Sequence, residues 1–181
     1  MGTRVLVVNC GSSSLKLSVV TPQGAVEAHT TLERWSGGDE LEPVQRFLDN
    51  TGPVDAVGHR VVHGGPRYRE PVRVDQELID YLSSIHDLAP LHNPRAVAGI
   101  HAIAQLLPEV PAVACFDTAF HATLPPEAAT YALPREWNAR WGLRRFGFHG
   151  LSHSYALDRA AELIGAEPTE LRVVSCHLGA G

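Results

Sequence analysis

Val5-Leu-Val-Val-Asn9-Cys-Gly11-Ser-Ser-Ser14-Leu-Lys16-Leu-Ser-Val-Val20 is the stretch on which the fold turns. An apolar run enters a glycine and three hydroxyl side chains, then resumes at Leu15 with the apolar/polar alternation that marks a strand. Two strands therefore meet across a tight polar turn. Such a turn suits an anion: Gly11 admits close backbone approach, consecutive N–H groups form a concave nest, serine hydroxyls donate hydrogen bonds and Lys16 brings positive charge. It is not the Gly-x-x-x-x-Gly-Lys-Ser/Thr phosphate loop, which leads into a helix, because Lys16 lies inside a strand pattern. A plain Ser-rich hairpin turn is the competing reading.

Outward from this hairpin, periodicity predicts strands at about 4–9, 15–20 and 25–31, a helix at about 41–50 and a strand at about 55–63, a β-meander feeding an α/β unit. Gly64-Gly-Pro66 breaks the pattern, and a helix follows near 76–86. Asn93-Pro94 reads as a helix start, Asn as cap and Pro in the first turn, with Val97, Ile100, His101, Ala104 and Leu107 along one side of a helix from Arg95 to Leu107. Residues 110–116 form a short strand ending at Asp117, and the proline-containing region 124–136 connects two lobes. Ser152 or His153 opens a helix reaching about Ile164, and Leu171 to Ser175 is expected to be a strand entering His177-Leu-Gly179-Ala-Gly181. Val173-Val-Ser-Cys176 before Gly179 echoes Val7-Val-Asn-Cys10 before Gly11, so two related lobes are expected to face one phosphate-bearing ligand.

At 181 residues, 44% hydrophobic and 19% charged, the chain has enough material for one large packed unit or two small ones. No apolar run approaches the roughly 20 residues that span a bilayer, and no basic-then-apolar leader precedes the first strand; the expectation is a cytoplasmic protein with no membrane partner. Cys10, Cys115 and Cys176 cannot all pair and are expected as reduced thiols near sheet edges. A net charge of -5 argues against a nucleic-acid partner. The tight basic cluster Arg140 to Arg145, interleaved with Trp141, reads as a solvated helix end or an anion contact. Anionic ligands would need specific Arg, Lys and N–H donors.

Three further segments carry chemistry. In Gly58-His-Arg60-Val-Val62-His-Gly-Gly65, alternation puts Arg60 and Val62 on one face, a guanidinium beside an apolar wall, which suits a small carboxylate with a short alkyl group. Phe116-Asp117-Thr-Ala-Phe-His121 ends a strand with a carboxylate able to hold Mg²⁺ or orient a reacting group; a turn-forming Asp is the alternative. Arg145-Phe-Gly-Phe148-His149-Gly150-Leu-Ser-His153 sets imidazoles and an aromatic wall at a loop-to-helix junction, where N–H groups favour anions and His149 can donate to a phosphoryl oxygen. His59/His63 and His149/His153 share a spacing of four, yet flanking valines and glycines oppose a helical zinc site and neither pair contains the Glu of His-Glu-x-x-His.

Together with Leu88-Ala-Pro-Leu91-His92-Asn-Pro94 and His177-Leu-Gly-Ala-Gly181, these motifs resemble, in order and from end to end, the acetokinase family of acetate kinases. The resemblance implies an α/β fold of the acetate and sugar kinase, heat-shock ATPase and actin type (ribonuclease H-like), with a first lobe at 1–123 and, at 124–181, a connection and the beginning of the second, nucleotide-binding lobe. It implies reversible in-line transfer from ATP to acetate, giving ADP and acetyl phosphate, with Mg²⁺ and a homodimer in the full-length protein. Carried onto this chain, Asn9, Ser12, Ser14, Lys16, His177, Gly179 and Gly181 line the phosphates, Asn9 and Asp117 attend the metal, and Asp117, His149 and Arg60 are catalytic. Arg60, Val62, Leu91 and Phe148 hold the acceptor, and His92 and His153 are the other motif histidines. A non-catalytic nucleotide or anion-binding module, or a propionate or butyrate kinase, are the alternatives.

The chain departs from the family pattern at Ala180, where Asn is common, at Leu151, where Thr is usual, and in a shorter segment between Lys16 and Gly58. It also stops at Gly181, before the family's adenosine pocket, so it reads as the front portion of an acetate kinase, with negligible turnover expected from it alone.

Overall fold

The computed structural model describes residues 2–35, 37 and 41–179. Strands β1 (Val5–Cys10), β2 (Ser14–Val20) and β3 (Val26–Glu33) form the expected antiparallel meander. Helix α1 (Glu42–Thr51) returns the chain to β4 (Ala56–Val61), which lies parallel to β1 on its other side. A two-residue strand β5 (Val72–Arg73) precedes α2 (Gln76–Ser84) and α3 (Asn93–Leu106), which lead to β6 (Ala112–Phe116), parallel to β4. The six-stranded sheet has the order β3-β2-β1-β4-β6-β5. Beyond it lie the short helices α4 (Pro126–Ala129) and α5 (Arg135–Trp141) and the longer α6 (Gly150–Ile164).

Period-two alternation decides which face is covered. Leu6, Val8 and Cys10 of β1, with Leu15, Leu17 and Val19 of β2, are buried against Val44 and Leu48 of α1 and Ala102 and Ile103 of α3. Val61, Ala114 and Phe116 pack on Leu78 and Leu82 of α2 and on Ala96 and Ile100 of α3. Each large aliphatic side chain so buried contributes about 1.5–3 kcal/mol. Helices thus cover one face, while the intervening residues of β1, β2 and β4, apolar and polar mixed, turn a largely half-buried face the other way.

The buried residues of α3 are Asn93, Ala96, Gly99, Ile100, Ala102 and Ile103, whereas His101 and Ala104 of the anticipated stripe are exposed. The helix rotates because its small residues permit the closest approach to the sheet. A Cβ at Gly99 would overlap the Cys10 sulfur. Gly99→Ala is therefore expected to destabilise the fold by about 1 kcal/mol despite its better helix propensity, read as a lower urea midpoint; Cys10→Ala in the same chain should restore most of the loss.

Asn93 is not a cap. It is the first residue of α3, wholly buried, and no side-chain capping bond is made at the preceding His92. Its amide instead holds β4's exit: Oδ1 accepts from the His63 N–H at 3.2 Å and Nδ2 donates to the His63 carbonyl at 3.0 Å. The expected strand at Leu171–Ser175 does not form, and Val174 is 90% exposed. Alternating apolar residues make a strand only beside a backbone that satisfies their N–H and C=O groups, and among the described residues no strand flanks this segment. All three cysteines are free, as expected, but Cys10 and Cys115 lie on interior strands rather than at sheet edges.

Candidate active site

The half-buried face of the sheet carries one row of chemistry. Strand register sets Lys16 opposite Asn9, Asn9 opposite Arg60 and Arg60 opposite Cys115, and directly paired residues point to the same side. Asp117 follows two residues after Cys115, so parallel β1, β4 and β6 deliver an amide, a guanidinium and a carboxylate at their C-terminal ends.

These groups touch. Arg60 Nη2 donates to Asp117 Oδ2 at 2.6 Å, Nε lies 3.2 and 3.3 Å from the two carboxylate oxygens, and Nη1 donates to Asn9 Oδ1 at 3.0 Å. The Asp117 side chain is 1% exposed and that of Arg60 23%, so the ion pair is sealed on the carboxylate side and open on the guanidinium side. Asp117 is also fixed through its backbone: its N–H donates to the Val61 carbonyl, and its carbonyl accepts from the Gly150 N–H, each at 3.0 Å. Beside it, Thr118 Oγ1 accepts from the Gly64 N–H at 3.1 Å, and the Gly65 N–H donates to His63 Nδ1 at 2.8 Å. Asn93, His63 and Thr118 thus form a buried brace behind the site. Sequence reasoning missed it, because nothing local to the Asn-Pro pair distinguishes a brace from a cap.

The Gly-Phe-His-Gly turn reaches the same place. His149 takes a left-handed backbone (φ 55°, ψ 25°) and α6 begins at Gly150, earlier than the predicted Ser152 or His153. A Cβ on Gly147 would strike the His121 ring; one on Gly150 would overlap the Asp117 carbonyl and lie 2.6 Å from Phe120 Cβ. His121 Nε2 and the Phe148 carbonyl are 3.1 Å apart, and the His149 and His177 rings are 4.4 Å apart, centre to centre. Gly150→Ala is expected to lift α6 from Asp117, costing about 2 kcal/mol in a denaturation series and changing the His149 ring resonances; Leu151→Ala at the exposed neighbour should do neither.

The His92 imidazole is pushed down, first by burial and then by the positive field of Arg60, with Asp117 opposing. His59 and His63 part company: His59 lies under α3, its imidazole pushed down to about 4 by burial, while His63 stacks edge-on to Phe146 and Phe148. Val62 is buried, Phe148 is 41% exposed and Leu91 68% exposed, so the intended acceptor wall is only partly assembled. Ser12 is exposed in the hairpin turn and Ser14 opens β2; the Gly11 N–H closes the turn on the Ser14 carbonyl at 2.8 Å. Gly179 lines a cleft of about 280 Å³ with Phe148, His149, His153 and His177. Gly181 and Ala180 lie outside the described residues.

Among the described residues no three His, Cys, Asp or Glu side chains gather as a metal cage. Asn9 Oδ1 and the Asp117 carboxylate are hard oxygen donors of the kind Mg²⁺ takes, and both accept from the Arg60 guanidinium here. No helix of the described residues is long and apolar enough to cross a membrane.

A model of the acetokinase family matches residues 38–181. The chain is 40% identical to an acetate kinase of Oceanobacillus iheyensis over 99% of its own length and 53% of the relative's. It is 41% identical to one of Thermotoga maritima over 98% and 52%. In structure it resembles Porphyromonas gingivalis acetate kinase (TM-score 0.80, 35% identity, 92% of this chain and 50% of that one). It equally resembles a Francisella tularensis propionate kinase (TM-score 0.80, 34% identity, 91% and 50%). The chain spans about half the length of the curated relatives it matches. Its α/β fold is the one these kinases share, and on matched motifs, sequence and structure together the chain belongs to the acetokinase family.

Proposed function

We propose that this chain supplies the phosphate hairpin and acceptor site of an acetate kinase, which passes the ATP γ-phosphoryl group reversibly to acetate and gives acetyl phosphate and ADP. The observation that carries the reading is the Asn9–Arg60–Asp117 row, closed by hydrogen bonds at the ends of parallel strands. Phosphoryl transfer to a carboxylate requires alignment and charge stabilisation rather than a strong base, since the acceptor is already an anion at neutral pH.

Each residue then has a task. Arg60 exposes its guanidinium on the side away from Asp117, where an acceptor carboxylate or a transferring phosphoryl oxygen competes for it. Asn9 holds the guanidinium's other edge. His149, at the start of α6 and beside His177, donates a hydrogen bond to phosphoryl oxygen, and Lys16 with the Ser12 and Ser14 hydroxyls neutralises the phosphate chain. Val62 and Phe148 exclude water from the acceptor's alkyl end, with Leu91 closing over it. Asn9 and Asp117 would hold Mg²⁺, which screens charge on the phosphates when bound.

The 1–123 and 124–181 division, assembly as a homodimer and a cytoplasmic setting belong to the same reading. A hydroxamate assay tests it in a longer polypeptide that adds the family's remaining length. Acetyl phosphate from ATP, Mg²⁺ and acetate supports it; ATP binding without turnover supports the non-catalytic module. The 181-residue chain alone is expected to show negligible turnover, and clear product from it would refute that. Propionate belongs in the same assay, because one methylene shifts preference by only about 1–3 kcal/mol and a propionate kinase shares the fold.

A further inference from the structure

On the helix-covered side of the sheet, a cavity of about 170 Å³ opens between β4, the β5 edge and the C-terminal half of α3. His59 lines it together with Arg73, Ile100, Ile103, Leu107 and Pro111. His59 is 2% exposed, and its ring makes no hydrogen bond to any described residue. The ring nitrogens are not sealed off from solvent, so they face the cavity free to bond whatever enters it. Burial keeps the ring neutral, leaving it one donor and one acceptor. Arg73 is exposed at the edge and has no ion pair among the described residues. The remaining side chains that line it are aliphatic, with backbone between them.

From these observations we propose that this cavity binds a small organic monoanion, a short-chain carboxylate of about half a dozen non-hydrogen atoms, with its charge against Arg73, a hydrogen bond to His59 and its hydrocarbon against Ile100, Ile103 and Leu107. A guanidinium at the edge selects the anion, and the aliphatic walls select a tail over a bare inorganic ion. The site is separate from the Arg60 row, because His59 and Arg60 are successive residues of β4 and face opposite sides of the sheet. It does not rest on the phosphotransfer reading.

Sodium butyrate is the probe, titrated at constant ionic strength into the full chain carrying ¹⁵N-histidine and ¹³C-methyl isoleucine. Saturable shifts of the His59 ring and Ile103 methyl are expected. Arg73→Ala should weaken the binding at least about tenfold, and Ala104→Phe, which fills the cavity from an exposed helix position, should abolish it. n-Butanol should bind at least tenfold more weakly than butyrate. Shifts that never saturate, equal affinity for butanol, or binding unchanged in both variants would overturn the proposal and leave a cavity holding water only.

Discussion

Replacing Arg60 by Ala is expected to unfold the protein more readily than replacing Asp117 by Asn, although the two residues share one ion pair. The asymmetry comes from burial: the Asp117 side chain is 1% exposed and that of Arg60 23%. Without Arg60 a carboxylate is left without its counter-ion where water barely reaches, a loss of about 3 kcal/mol, at the low end for broken buried pairs because the guanidinium side is open. For a chain of this size the melting temperature should fall by roughly 6–12 °C. With Asp117→Asn the guanidinium keeps Asn9 and can turn to solvent, so the loss should be smaller. Arg60→Ala combined with Asp117→Asn should be more stable than Arg60→Ala alone, since the stranded charge is gone. In the longer polypeptide, Arg60→Ala should also lower acetyl phosphate formation by about a hundred- to a thousandfold, the scale seen when a donor to developing charge is removed. An Arg60→Ala melting curve superimposable on the parent would remove the ion pair from the account of the fold, and unchanged turnover would remove Arg60 from the mechanism.

Local pattern makes the site's framework readable from the sequence. The alternation in Val5–Val20 and Ala56–Val61 fixes which side chains share a face, and a carboxylate directly after an apolar strand stands at a strand's C-terminal end wherever the strand is placed. Asn9, Arg60 and Asp117 follow from those rules once the strands lie in the order β1-β4-β6. What stayed hidden depends on contacts distant in sequence. The ion pair joins residues 57 positions apart, and Asn93 reaches His63 across 30. The buried stripe of α3 is set by where Gly99 permits the Cys10 sulfur to sit, which apolar periodicity does not encode. Residues 171–175 have strand composition but no neighbouring strand among the described residues, and composition does not supply a partner.

Mild acid is expected to weaken the fold above the range in which ordinary carboxylates titrate. Burial pushes the His59 imidazole down to about 4, against about 6.5 in the unfolded chain. Between those values the unfolded chain binds a proton that the folded one refuses, so stability is complete above pH 6.5 and drains away as pH falls toward 4. From pH 7 to pH 5 His59 alone should cost about 2 kcal/mol, or roughly 4–8 °C in melting temperature. His63 and His92 are displaced in the same direction, His63 by burial and His92 mainly by burial, so they add to the slope. The pH 5–7 window lies above the usual carboxylate range and isolates the histidines. Urea denaturation of the parent and of His59→Leu at both pH values measures the share of this one ring: the variant should lose markedly less stability on acidification, whatever its absolute stability at pH 7. If parent and variant lose equal amounts, His59 takes up a proton in the folded state without penalty, and the burial assigned to it beneath α3 is wrong.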